Sequence, residues 1–184
     1  MSAQAFAIFD SPIGSCGIAW NAKGIAGVQL PSAIAQATRS RLQQRWPEAV
    51  ESAPPPGVQR AIDRVLALLN GAAIDLGDIP VDLADAPEFH RKVYEIARTI
   101  PPGRTMTYGE IAKRLGVPHE SREVGQALGR NPIAIIVPCH RVLGADGKMG
   151  GFSATGGVAT KRRMLEIERA SAVGAGPLFD RLNG

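Results

Sequence analysis

The sequence predicts an α/β chain of two domains, with the boundary between residues 85 and 86. Three observations carry that prediction. Short strand-like runs separated by turn residues open the chain, and stripes with helical spacing fill the remainder of both halves. Between the halves, Gly77 to Asp85 has the composition of a linker. A length of 184 residues suits one or two compact domains with a proper core.

In the first half, Ala5 to Phe9 and Cys16 to Trp20 read as strands joined by the turn Ser11-Pro12-Ile13-Gly14. Asn21-Ala22-Lys23-Gly24 then turns the chain into a third strand around Ile25 to Leu30. Ser32 is placed to N-cap a helix that ends at Trp46-Pro47. Ala53 to Gly57, with its three prolines, is a stiff connector. A second helix presents Val58, Ile62, Val65, Leu66 and Leu69 on one face and stops at Asn70-Gly71. No chemical constellation appears here, so this half reads as a small α/β scaffold.

The second half is mostly helical. Pro87 sits near a first turn, where its missing N–H costs nothing, and Phe89, Val93, Ile96 and Ile100 form the buried stripe. Thr107 followed by Glu110 is a capping box opening a helix through Leu115, with Gly116 as its stop. Another helix spans about Ser121 to Leu128 and ends before Asn131-Pro132. Two short helices on a tight turn make a helix-turn-helix candidate. Ile133 to Val137 is a β-branched run that suits a short buried strand, halted by Pro138 and followed by Cys139, His140 and Arg141. A glycine-rich loop from Gly144 to Gly157 leads to a last helix near Val158. There Lys161 and Glu168, seven apart, share a face with Met164 and Leu165.

Charge and cysteine usage narrow the function. Residues 1–85 hold 6 basic and 8 acidic side chains, whereas residues 86–184 hold 15 and 9. A basic second half points to a polyanionic partner. The only cysteines are Cys16 and Cys139, and the three histidines are scattered. A disulfide framework and a zinc site are therefore not expected. No apolar run reaches transmembrane length, and the start has neither a basic n-region nor a cleavage pattern, so the expected location is the cytoplasm.

The motif Pro138-Cys139-His140-Arg141-Val142, with Arg122-Glu123-Val124-Gly125 and Gly129-Arg130-Asn131-Pro132 before it, resembles the O6-alkylguanine-DNA alkyltransferase family. The tail from Gly151-Phe152-Ser153 through Lys161 to Glu168 is similar too, so the likeness is strong from about Ala86 to Arg169. It implies a ribonuclease-H-like scaffold followed by a winged helix-turn-helix-like domain. It also implies transfer of an alkyl group from O6-methylguanine, and less readily from O4-methylthymine, to Cys139. The partner implied is double-stranded DNA carrying O6-alkylguanine, with no cofactor, no membrane and no obligate protein partner.

The resemblance also implies roles residue by residue. Glu168 orients His140, which draws the Cys139 proton through a water, following general triad logic. Tyr108 donates to the purine. The Cys139 and Val142 carbonyls and the Ser153 N–H read the base edge, with Phe152 and Ala134 lining the pocket. Arg122 is the finger that fills the space left by a flipped nucleotide, and Ser121, Gly125 and Ala127 keep its helix small enough for a minor groove. Asn131 is a hinge, while Lys161 lies near the pocket without one assigned role. Phe152 stands where tyrosine is common, Ala134 where proline occurs, and the loop Ala154 to Gly157 is longer than in some members. Three rival readings are a non-catalytic alkylated-DNA binder, a helix-turn-helix regulator and a papain-like hydrolase. Retention of Cys139 argues against the first.

Overall fold

The computed structural model describes residues 3–150 and 156–169. The chain forms two compact units. One runs from the N-terminus through Ala86 and also takes in Pro132–Ile136; the other holds Pro87–Asn131 and the described residues from Val137 onward.

The first unit is built on a sheet of β1 (Ala5–Ser11), β2 (Gly14–Asn21), β3 (Gly24–Gln29) and β4 (Val50–Glu51), in the order β3-β2-β1-β4. The first three strands form an antiparallel meander, with Ala5 opposite Trp20 and Ser11 opposite Gly14, and β4 runs parallel to β1. Helix α1 (Ala35–Arg45) and helix α2 (Pro56–Leu69) complete the unit. Two strand glycines set how closely α1 approaches. A Cβ on Gly17 would lie 2.2 Å from Leu42, and one on Gly27 would lie 2.0 Å from the Trp46 ring. Leu42 and Trp46 thereby close a core over Phe6, Ala19 and Ala26.

Three features of this unit differ from expectation. Ser32 does not cap α1: the N-cap is Ile34, in extended conformation and with no side-chain cap. Thr38, from inside the helix, accepts the Ser32 N–H at 3.0 Å and donates to the Ser15 carbonyl at 3.1 Å. The proline connector ends early because Pro56 already occupies the first turn of α2, where it needs no N–H partner. The linker-like stretch is paired rather than free. Ile25 N–H donates to Pro80 O at 3.0 Å, Asp82 N–H donates to Ile25 O at 2.8 Å, and Ile79 is buried.

The central apolar run is also not a regular strand. Ile133 makes one parallel bridge to Val28, after which the chain turns through Ile135 at φ 72°. A β-branched residue in the left-handed region is strained. Complete burial of Ile133, Ile135 and Ile136 supplies the apolar packing that offsets it.

In the second unit, α3 (Glu88–Arg98) buries Val93, Tyr94 and Ala97. The Tyr94 hydroxyl donates to the Ala127 carbonyl at 2.8 Å. The predicted capping box is present at the start of α4 (Tyr108–Arg114), with Thr107 and Glu110 satisfying each other's backbone N–H groups. The helix ends in a Schellman motif. Gly116, at φ 77°, donates to Lys113 O, and Val117 donates to Ala112 O, both at 3.0 Å. Helix α5 (Ser121–Gly129) follows and packs on α4. Met106–Thr107 (β5) pairs in parallel with Val142–Leu143 (β6), so the residue preceding Tyr108 is tied to the residues that follow Arg141. Helix α6 (Gly157–Ile167) closes the described chain, with Glu168 as its C-cap.

Candidate active site

Pro138 ends the apolar run, and Cys139–Arg141 then form a single 3₁₀ turn in which all three residues are buried. The turn is closed by the Cys139 N–H donating to Val137 O at 2.8 Å and by Arg141 N–H donating to Pro138 O at 2.9 Å. Asn131 supports its entry, its side-chain amide donating to Val137 O at 2.8 Å.

His140 turns towards α6. Its Nε2 lies 2.7 Å from Glu168 Oε1, and the two side chains are 1% and 2% exposed. Lys161 and Glu168 face inward, as their shared stripe with Met164 and Leu165 implies. The Nδ1 atom of His140 is buried and has no hydrogen-bond partner among the described residues. Burial holds the imidazole below its ordinary pKa despite Glu168 beside it, and the Arg141 and Lys161 cations push the same way as burial. A neutral imidazole with Nε2–H donated to Glu168 leaves Nδ1 as a lone-pair acceptor.

The Cys139 thiol is pushed up by burial, against the pull of the Asn131 side chain, the Lys161 cation and the backbone N–H groups of the turn. The resting sulfur is thus a neutral thiol surrounded by groups that favour its anion. Lys161 is 1% exposed, donates to Val142 O at 2.5 Å, and lies 5.9 Å from the Tyr108 ring centroid. Desolvation brings its ammonium down to about 8, with Cys139 acting in the opposite direction. Tyr108 is half-buried, and burial followed by the Cys139 charge raises its hydroxyl pKa.

Beside Tyr108 lies a groove of about 520 Å³ lined by Thr107, Tyr108, Ser121, Arg122, Gln126 and Gly150, among others. Ser121 and Arg122 are exposed, and Gly125 is half-buried with its Cα side against the Tyr108 ring. Ala127 departs from expectation. It is fully buried and faces the unit's interior, because the spacing from Val124 and towards Leu128 places all three on the packed side of α5. Val142 is buried at the edge of β6, and Ala134 is buried in the segment that belongs with the first unit. Phe152 and Ser153 lie outside the described residues.

Sequence reasoning missed two residues. Gln126 lines the groove four positions after Arg122, a spacing that places both on one helix face. Arg141 was part of the quoted motif but received no role. It donates to both oxygens of Glu168, and its position between His140 and apolar Val142 was the available signal.

Fold and site together define a class: a mixed α/β protein with a buried thiol, a His–Glu pair next to it, and a groove-lining helix pair in the same unit. Residues 88–170 match the family model described as 6-O-methylguanine DNA methyltransferase, DNA binding domain. The Mycobacterium tuberculosis methylated-DNA–protein-cysteine methyltransferase is 38% identical over 93% of this chain and 96% of that protein. The crystal structure of M. tuberculosis O6-methylguanine methyltransferase gives a TM-score of 0.73 at 36% identity, covering 96% of this chain and 99% of that one. A structure of the M. tuberculosis protein in complex with DNA gives 0.70 at 32% identity, covering 90% and 93%. The chain belongs to the methylated-DNA–protein-cysteine methyltransferase family.

Proposed function

We propose that this chain repairs O6-alkylguanine in double-stranded DNA by moving the alkyl group to the Cys139 sulfur in one irreversible step. The observation that carries the reading is the buried Cys139–Arg141 turn with His140 held on Glu168. The alkyl carbon's bond to O6 breaks as its bond to sulfur forms. The thiol proton passes to His140 Nδ1, with a water as relay, and guanine leaves as its neutral base after taking a proton from Tyr108. O4-methylthymine is the slower substrate.

Magnitudes support assistance at both ends of the displacement. An ordinary cysteine, with pKa ~8.5, is only a few per cent ionised at neutral pH, and burial leaves this one lower still. Proton removal must accompany attack, which gives His140 its work. Protonating the leaving base is general acid catalysis, typically worth ~10²–10⁴-fold. The target atom sits within stacked duplex, so the nucleotide is first flipped at a cost of a few kcal/mol. Arg122, exposed on α5, fills the gap, with Ser121 and Gly125 allowing close approach. Val142, buried beside the reactive turn, lines the pocket of this proposal.

Residues 86–184 form the DNA-binding and alkyl-transfer domain of this proposal, and residues 1–85 its scaffold. The order β3-β2-β1-β4, with β4 parallel to β1, supports a ribonuclease-H-like scaffold. The α4–α5 pair supports a winged helix-turn-helix-like second domain. Two free cysteines suit a reducing compartment, the cytoplasm. Mass spectrometry after incubation with O6-methylguanine duplex tests the reaction. One added methyl mapped to Cys139, with repair stopping at one equivalent, is expected. Repair of many equivalents, or a methyl on another residue, would overturn it.

A further inference from the structure

Glu168 is held from two sides, and only one holder has a place in the proton path. His140 Nε2 meets Oε1 at 2.7 Å. Arg141 grips the same carboxylate twice, with Nε on Oε2 at 2.9 Å and Nη2 on Oε1 at 2.8 Å. The guanidinium is itself anchored, its Nη1 donating to Ile100 O at 2.6 Å. Arg141 and Glu168 side chains are 3% and 2% exposed, so water screens little of this pair.

A carboxylate held by a single histidine bond can rotate about its last torsion. A bidentate guanidinium removes that freedom and presents Oε1 in a fixed direction. Charge matters as well. Burial opposes ionisation of the Glu168 carboxyl, but contact with His140 and then with Arg141 brings it down to about 2; of these two partners Arg141 is the permanent cation. An ionised Glu168 only accepts hydrogen bonds, so it requires the proton on Nε2 of the imidazole. We propose that Arg141 is a positioning residue for the alkyl transfer, its two-point hold on Glu168 fixing His140 in the tautomer that leaves Nδ1 to accept the thiol proton.

The inference rests on the alkyl-transfer reading and adds a pH signature to it. Among the described residues, the charged groups acting on His140 are Glu168 and Lys161 from the α6 segment and Arg141 from its own turn. Glu168 favours the imidazolium, whereas Arg141 and Lys161 disfavour it. Removing the Arg141 charge leaves Glu168 uncompensated, so His140 should keep its proton to higher pH.

The test uses the full chain as Arg141→Gln and Arg141→Lys, with single-turnover methyl transfer from duplex measured across pH and ring-nitrogen NMR of His140 measured without DNA. Arg141→Gln should slow transfer by about ten- to a hundredfold, by analogy with the loss of groups that orient a ligand. Its acid limb should move upward by about one pH unit. Arg141→Lys keeps the charge and protects against misfolding; it should slow transfer less, leave the limb in place, and mix the two His140 tautomers. If Arg141→Lys matches wild type in rate and tautomer, the two-point hold is not needed and the proposal falls. An Arg141→Gln protein that is slow but keeps both limb and tautomer gives Arg141 a purely structural role. The NMR result stands without the reaction, so a wild-type protein that transfers no methyl overturns the parent reading separately.

Discussion

The Lys161 ammonium is buried against the Val142 carbonyl at 2.5 Å, a charge removed from water by the strand that follows the reactive turn. Desolvation lowers its pKa from 10.5 to about 8. The folded state therefore binds fewer protons than the unfolded one between those values, and stability contributed through this group rises with pH across that window. Below pH 8 the buried charge is a net cost, on the order of 3 kcal/mol for such a shift. Lys161→Met should gain stability relative to wild type at pH 7, less whatever the unpartnered Val142 carbonyl costs. That difference should shrink or reverse by pH 10.5. Urea denaturation of both proteins at pH 7 and 10 reads it; a difference independent of pH would show that the ammonium is not desolvated. The same variant should transfer methyl about tenfold more slowly, since the cation that favours the Cys139 anion is gone.

Gly150 comes so close to Tyr108 that a Cβ there would lie 2.7 Å from the hydroxyl oxygen and 3.0 Å from a ring carbon. Its backbone is not among those with positive φ, so alanine meets no conformational penalty at this position. Gly150→Ala should thus displace the tyrosine rather than unfold the chain. The expected result is slower methyl transfer, approaching the loss in Tyr108→Phe, with thermal stability within about 1 kcal/mol of wild type. Full activity in Gly150→Ala would mean that the hydroxyl does not act from the position it occupies here.

Local features were legible in the sequence, and features assembled from distant segments were not. The Thr107–Glu110 capping box and the Gly116 stop depend on residues three to five apart and appear as expected. The meander at the N-terminus was readable for the same reason. Ile133–Val137 looked like a strand because β-branched residues favour one, but a positive φ at Ile135 depends on burial that no local pattern reports. The seven-residue spacing of Lys161 and Glu168 correctly placed them on one face, yet could not show what they meet. Their burial depends on Arg141, 27 positions before Glu168, and on Ile100, 41 positions before Arg141. Ala127, which the family resemblance places among the small residues of the groove face, lies inside with Val124 and Leu128 by helix phase.

Truncating Arg122 tests whether nucleotide flipping can be separated from chemistry. Arg122 is exposed near the start of α5, in the groove with Ser121 and Gln126, while Cys139 is buried in the reactive turn. If its side chain fills the place of the flipped nucleotide, truncation removes stabilisation of the flipped state and leaves the thiol untouched. Arg122→Ala should cost ~1–3 kcal/mol, as other well-placed nucleic-acid contacts do. That corresponds to roughly five- to over a hundred-fold in the rate on duplex. Free O6-methylguanine needs no flipping, so its slow reaction should hardly change. Tyr108→Phe should slow both substrates if the tyrosine donates the proton, because that donor would be missing in either case. Both variants measured against both substrates give four rates whose pattern decides the matter. Equal impairment of duplex and free base by Arg122→Ala would place Arg122 in the fold or the pocket and remove it from the flipping step.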